Sequence, residues 1–403
     1  MSSAHHDVII VGGGLVGASL AIALDRIGVD VGLVESTPAG ALPAVFDERN
    51  LSFAEATVNA LTALDVMQKL QLAGAPIRRI HVSRAGDFGR VQLDASDYAR
   101  ESFGQVVVAR DFGHALETRL IELTGLTRYR PARFVGVDRH AQEGCVIRVA
   151  SDGGESQLST RLLVAADGTH SGVRDGLGIA TKSHDYGQTL FVARVRSERA
   201  PDGTAYERFG DDGPTAMLPR ADRHFGSVHG VGNADADAVT LLGDAEYLAR
   251  LQRAFGWRVG RLLSVGARSR YPATCLRADH LTASRAVLVG NAAQTLHPIG
   301  AQGFNLGLRD ALTLAEIIED AHEDLGSDAM LAAYAARRQD DREHTLAFSD
   351  GLARLTANPS TLLRPLRALG FLALDRVPSM QSALVGGAMG YRGEVPLLCR
   401  APS

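Results

Sequence analysis

The sequence predicts an α/β protein with three parts: a parallel sheet assembled from separated stretches of chain, an inserted antiparallel sheet, and a helical C-terminal region. Three observations predict this. The chain opens on a strand, a glycine turn, a helix and a second strand between Asp7 and Glu35. Short apolar runs of the same buried-strand type return at Leu162–Ala166 and Ala286–Val289. Between those returns, short alternating segments separated by Gly, Asp and Pro read as an antiparallel sheet. The expected division is residues 1–75, 100–180 and 270–325 for the parallel-sheet domain, 76–99 and 181–269 for the inserted domain, and 326–403 for the helical region.

The opening stretch reads DVIIVGGGLVGASLAIALDRIGVDVGLVE. Its G-x-G-x-x-G glycines have separate tasks. Gly12 permits a tight turn, Gly14 lets backbone N–H groups approach a pyrophosphate, and Gly17 lets the helix pack close to the strand. A pyrophosphate would sit at the helix N-terminus, where free N–H groups and the dipole favour anions. Glu35 ends the second strand, where a carboxylate can accept hydrogen bonds from a ribose. The order of these parts predicts a Rossmann-like dinucleotide site, without deciding between FAD and NAD. A βα turn that binds nothing is the plain alternative. A membrane span over Val8–Leu24 is another, opposed by three consecutive glycines and an early acid.

Composition narrows the class. Hydrophobic residues at 45% and charged residues at 22% fit a soluble globular chain, and 403 residues allow two or three domains. A net charge of −4 and the lack of a Lys/Arg run argue against nucleic acid as a partner. Cys145, Cys275 and Cys399 are far apart and odd in number, so they predict neither a disulfide framework nor a metal site, and a reducing, cytoplasmic setting is expected. The N-terminus has no signal-peptide pattern.

The remaining elements follow in order. Leu42–Asn50 reads as a loop, and a helix is expected from about Ala54 to Leu70. Ile77–Ser83 and Arg90–Leu93 read as a hairpin around Gly86 and Gly89. Gln105–Val108 reads as a strand and Asp111 to about Thr124 as a helix with Asp111 as its N-cap. Strands are expected at Arg133–Arg139, Cys145–Ala150 and Gln157–Ala166, then at Leu190–Val195, Ala205–Phe209, Thr215–Leu218 and Phe225–Val231. Asp244–Phe255 reads as a helix, Arg285–Gly290 as a buried strand and Phe304–Ala321 as a long helix. The rest reads as helical, with breaks at Asn358-Pro359, Pro365 and Pro378.

Two further passages carry chemistry. Ala166-Asp-Gly-Thr-His-Ser-Gly-Val-Arg174 follows a buried strand, so its polar residues fall at a strand's C-terminal end, where α/β sheets bind ligands. Gly290-Asn-Ala-Ala-Gln-Thr-Leu-His-Pro-Ile-Gly-Ala-Gln-Gly-Phe-Asn-Leu-Gly-Leu-Arg-Asp310 is a strand–loop–helix passage. Gly300 and Gly303 would let backbone approach a ring system, and the following helix would aim its positive end there. Read singly, each passage is equally a turn or a Gly-rich connection.

Together the three passages resemble the flavoprotein aromatic hydroxylases that bind a single FAD. The string GNAAQTLHPI…QGFNLGLRD, with Asn291, is similar to the ubiquinone-biosynthesis branch of that family, of the 2-polyprenyl-6-methoxyphenol hydroxylase kind. So are Phe46-Asp-Glu-Arg49, Glu207-Arg-Phe209, Gly213-Pro214 with Leu218-Pro219, and Ala388-Met-Gly390. The likeness covers nearly the whole chain. It departs at Ile299-Gly-Ala-Gln-Gly303, where Gly and Ala are in reverse order, and at Asn50-Leu-Ser-Phe53 after Arg49.

The resemblance implies FAD as cofactor, NAD(P)H as a transient reductant without a Rossmann unit of its own, and O2 and a polyprenylated phenol as substrates. It implies FAD contacts at Gly12, Gly14, Gly17, Glu35, Arg49, Gln105, Arg110, Asp167, Gly168, Asn291, Gly300, Gly303 and Asn305. His297 is the candidate proton shuttle, and Pro298 would stiffen the loop and offer its carbonyl to the substrate hydroxyl. No metal spacing is present. A hydroxylase of a small soluble phenol, a prenyl-chain reductase and a non-catalytic FAD-bound scaffold of a biosynthetic complex are the alternatives. Leu362–Leu374 reads either as a helix lying on anionic lipid, peripheral to the inner face of a membrane, or as an ordinary core-facing helix end.

Overall fold

The computed structural model describes residues 4–140, 144–321, 324–357 and 364–401. Apolar residues buried on both faces build the first sheet. Its order is Thr282–Ala283, Ala286–Leu288, Gly154–Ala165, Ala4–Val11, Val31–Val34 and Leu126–Tyr129. All neighbours from Ala286–Leu288 onward are parallel. Val8, Ile9, Ile10, Leu162, Leu163 and Val164 are fully buried at its centre, as expected of strands covered on both sides. Arg133–His140 and Gly144–Ser151 extend it as an antiparallel hairpin pair. The sheet is thus the α/β, Rossmann-like unit that the separated apolar runs predict.

The second sheet runs Gln294–Thr295, Leu262–Ala278, Thr181–Ser197, Phe225–Gly232, Pro214–Pro219, Thr204–Phe209, Arg79–Arg84 and Arg90–Asp94. It is antiparallel except where Thr204–Phe209 meets Arg79–Arg84. Two strands of 17 residues carry it, Thr181–Ser197 and Leu262–Ala278. Only Leu190–Val195 of the first was expected, and nothing of the second. The second runs unbroken across position 270. Its sequence, LLSVGARSRYPATCLRA, mixes apolar and polar residues without regular alternation and is partly exposed, so it lacks the pattern that marks a half-buried strand.

Asn50–Ala54, Gly104–Val108 and Ala75–Pro76 form a third, small sheet. Asn50–Ala54 was expected to be loop and helix start. It is a strand because it pairs with Gly104–Val108, more than fifty residues on. The helix after it spans Glu55–Ala63 and ends before Leu70, since Asp65 takes a left-handed conformation with φ 59°. The next helix starts at Ala109, so Asp111 lies in its first turn and Val108, the strand end, holds the N-cap place.

Gln302–Asp320 packs against the Leu15–Arg26 helix and against Asp328–Ala357, which also touches the edge strand Thr282–Ala283, and Arg364–Arg376 and Pro378–Ala388 follow. Pro365 and Pro378 each fall in a first helical turn, where the missing N–H costs nothing. Asn358-Pro359 and Leu362 lie outside the described residues. Among the described residues no helix is long and apolar enough to cross a membrane.

Candidate functional site

The three passages meet in space through contacts too close to admit side chains. Gly12 has φ 107°, and a Cβ there would lie 2.5 Å from the Ala166 carbonyl oxygen. A Cβ on Gly17 would lie 1.9 Å from the Gly12 oxygen. The second and third passages are joined by Thr169 and Thr295, whose hydroxyls are 2.9 Å apart, and by Arg174, which donates to the Thr169 and Ala292 carbonyls at 3.1 and 3.2 Å. The first and third are joined by Val16, whose Cγ2 would be 2.9 Å from a Cβ on Gly290 and 2.8 Å from one on Gly307.

That last contact sets two helix N-termini side by side. The Leu15–Arg26 helix begins after Gly14 and the Gln302–Asp320 helix after Ala301. Neither has a side-chain cap, and neither has an acid in its first turn. Their first N–H groups therefore need an outside acceptor, and their dipoles favour a negative one. Space is left for it: a Cβ on Gly14 would touch only Val45, at 3.7 Å, and one on Gly303 would meet nothing within 4 Å. Gly300, at φ 71°, turns the chain between Pro298 and the helix.

Glu35 closes the first passage. Its carboxylate accepts from Gly13 N–H at 2.8 Å and Thr37 N–H at 2.7 Å, and it lines a narrow recess with Gly13, Pro43, Phe46 and Arg130. Arg49 lies 4.3 Å above the Tyr271 ring and donates through Nε and Nη2 to Asp47, at 2.8 Å each. Tyr271 donates to Asp47 as well. Burial works against the Asp47 carboxylate, but these hydrogen bonds outweigh it and hold the group below the usual range. Arg110 is exposed and pairs with Glu48 at 2.6 Å. Gln105 is half-buried on the small sheet, and Gly168, at φ 86°, faces open space. Asn291 is exposed.

Two predicted contacts prove to be occupied within the protein. Asn305 is 2% exposed and uses its whole amide: Oδ1 accepts from Ala54 N–H and the Thr57 hydroxyl, and Nδ2 donates to the Ser52 and Ala301 carbonyls. It therefore ties the third passage to the small sheet and has no hydrogen-bonding group left for a cofactor. Asp167 accepts from the Ser171 hydroxyl and from Val173 N–H, so it closes its own loop. Burial pushes its carboxyl up against the pull of those bonds.

His297 is 2% exposed and borders a cavity of 280 Å³ with Tyr186, Gln188, Phe209, Pro214 and Ile299. Its Nδ1 accepts from Ile299 N–H at 3.2 Å, which puts the ring proton on Nε2. Burial takes its pKa down to about 4, against the field of Asp350. At neutral pH it is thus an uncharged donor rather than a proton acceptor. Pro298 is exposed, and its carbonyl already accepts from Ala301 N–H at 2.9 Å.

Several site residues escape sequence reasoning. Tyr186 stands edge-on to His297, with ring centres 4.7 Å apart, and donates to Asp350 at 2.7 Å. Arg354 pairs with the same Asp350 at 2.8 Å. Behind the third passage, Asp310 accepts from Gly290 N–H, Gln294 and Arg338, and Asp341 binds Arg309 and Arg338. The only sequence signal for this second group is that helix residues Arg309, Asp310, Arg338 and Asp341 are charged where their neighbours are apolar.

The FAD binding domain family matches residues 5–349. A ubiquinone hydroxylase, UbiL, of Rhodospirillum rubrum is 34% identical over 95% of this chain and 89% of its own. The 3-demethoxyubiquinol 3-hydroxylase of Escherichia coli is 28% identical, over 97% of this chain and 100% of its own. The crystal structure of p-nitrophenol 4-monooxygenase PnpA from Pseudomonas putida superimposes with a TM-score of 0.80 at 17% identity, covering 98% of this chain and all of that one. That likeness speaks for the fold. Two uncapped helix N-termini, a carboxylate at a strand end and open space above Gly14 and Gly303 fit FAD.

Proposed function

Since this chain belongs to the FAD binding domain family and is an FAD-dependent monooxygenase, we propose that it uses NAD(P)H and O2 to hydroxylate the aromatic ring of a polyprenylated phenol, of the 2-polyprenyl-6-methoxyphenol type, in ubiquinone biosynthesis. The observation that carries this reading is the cavity beside the paired helix N-termini. Its walls are mostly apolar or aromatic, and its one arginine, Arg354, is already neutralised by Asp350. A small phenol bearing a carboxylate would need a free cation there. An uncharged phenol on a prenyl chain does not.

Gly12, Gly14, Gly17 and Glu35 would hold the adenosine and pyrophosphate end of FAD, with Arg49 toward its phosphates. The N-terminus of the Gln302–Asp320 helix, with Gly300 and Gly303, would face the ring. Bound FAD carries the electrons and delivers the oxygen atom. The chain's residues bind, orient and keep water out. His297, donating from Nε2, would hold the phenol oxygen and favour its anion. Leu369, Leu372, Val377 and Met380 are exposed on the last helices, and Phe88 is exposed on the hairpin packed against them at Gly89. These support contact with a membrane surface, where a prenylated substrate resides. Co-sedimentation with anionic vesicles, lost on substituting Leu369 and Met380 by Ser, tests that contact.

The main test is NAD(P)H oxidation by FAD-loaded protein with and without 2-methoxy-6-prenylphenol, with product mass recorded. Stimulated oxidation and a product heavier by one oxygen are expected. Stimulation by small soluble phenols alone would replace the substrate class, and no stimulation by any phenol would defeat the reading.

A further inference from the structure

The second sheet turns one face toward this site. Alternation along Thr204–Phe209 puts Ala205, Glu207 and Phe209 on that face, whereas Tyr206 packs on the other against Phe225 and Phe255. Cross-strand register sets Val82 on one side of Glu207 and Ala216 on the other, with Val228 beyond Ala216 and Val192 beyond that. Val82, Val192 and Val228 are half-buried, so this face is apolar and still partly open. Ala205 and Phe209 belong to the packed cluster that contains Ile299 of the glycine loop, and Phe209 borders the His297 cavity.

Glu207 is thus a carboxyl in the middle of an apolar surface, two residues or ~7 Å along the strand from the cavity wall. Neither of its oxygens meets a hydrogen-bond donor or a cation among the described residues. The neighbouring arginines are already matched: Arg84 with Asp211, Arg194 and Arg220 with Asp222, and Arg49 with Asp47. His297 is uncharged at neutral pH. Glu207 itself is half-buried. Burial alone pushes its pKa up to about 7. An unpaired acid on an apolar face destabilises the fold whenever it is ionised, and such costs gather where chemistry needs them.

We propose that Glu207 is the catalytic base that takes the proton from the substrate's phenolic hydroxyl. The proposal rests on the hydroxylase reading above. The phenol O–H bond breaks, its electron pair stays on the phenol oxygen, and a carboxyl O–H forms on Glu207. The proton later returns to water. His297, as donor, and Glu207, as acceptor, then have separate tasks.

The test compares wild type, E207Q and E207D, each FAD-loaded, with 2-methoxy-6-prenylphenol. In wild type, phenol-stimulated NAD(P)H oxidation should rise through an inflection near pH 7. E207Q should lose the inflection and fall on the order of 10²-fold at pH 8, and E207D should recover part of both. A second readout needs no turnover. In oxidised wild type without phenol, the infrared band of a protonated carboxyl should disappear as pH rises through about 7, and E207Q should lack that band. An E207Q enzyme with wild-type inflection and rate would overturn the proposal. A band that titrates near pH 7 in a wild type showing no phenol-stimulated oxidation at any pH would sink the hydroxylase reading and leave Glu207 able to accept a proton. Stimulated oxidation by a wild type without such a band would sink Glu207 alone.

Discussion

Val16 occupies the space that a side chain at Gly307 would need: a Cβ there would lie 2.8 Å from Val16 Cγ2 and 3.0 Å from the Gly290 Cα. The two residues are almost three hundred positions apart, yet their contact sets the spacing of both helix N-termini proposed to face FAD. Gly307→Ala should therefore cost about 1–3 kcal/mol by overpacking and lower FAD content. Val16→Ala in the same chain should restore part of both. Urea unfolding and the flavin-to-protein absorbance ratio measure this, and an FAD-replete G307A protein would contradict it.

Gly14 predicts a different pattern. A side chain there has room in the protein itself, so Gly14→Val should fold with a near-normal melting temperature without cofactor. It should nevertheless fail to retain FAD, because the side chain blocks approach to the helix N-terminus. If the variant purifies with full FAD content, the first passage is not the pyrophosphate site.

Asn305→Ala should act on stability rather than on cofactor chemistry. It strands the Ala54 N–H and the Ser52 and Ala301 carbonyls, at about 1–3 kcal/mol for each buried group left unpaired. Asn305→Asp can still accept two bonds but cannot donate, so it should be destabilised as well. The midpoint of urea unfolding should drop in both. A normal midpoint with altered flavin absorbance would instead make Asn305 a cofactor ligand.

Acid should weaken the fold in two steps. The pKa values of His297 and His229 are depressed to about 4 by burial, opposed at His297 by Asp350 and reinforced at His229 by Arg250. Between pH 6.5 and 4 the unfolded chain binds these two protons and the folded chain does not, so stability falls as pH falls through that window. Asp341 enters below it. Burial would raise its pKa, but Arg309 and Arg338 bring it to about 2, and its contribution, present above pH 4, is lost between 4 and 2. Glu207 has the opposite sign, since its raised pKa makes the fold less stable as pH rises from 4.5 to 7. His297→Asn should reduce the proton uptake on unfolding at pH 5 by up to one. Unchanged uptake would mean that His297 is not held neutral.

The sequence by itself determined the parallel strands, the glycine turn with Glu35, and the three passages that meet in space. Each is written in a contiguous run whose residue types leave few alternatives: β-branched residues for a buried strand, glycine where backbone must touch backbone. What the tertiary structure decided is pairing. Asn50–Ala54 is a strand because Gly104–Val108 lies beside it, and Leu262–Ala278 because Thr181–Ser197 does. Asn305 fastens the loop to the small sheet because Ser52 and Ala54 come within reach. The Ile299 N–H settles which nitrogen of His297 carries the proton, and Glu207 is set apart by apolar neighbours drawn from four other strands. A side chain's partner is a property of three-dimensional proximity, and no local pattern encodes it.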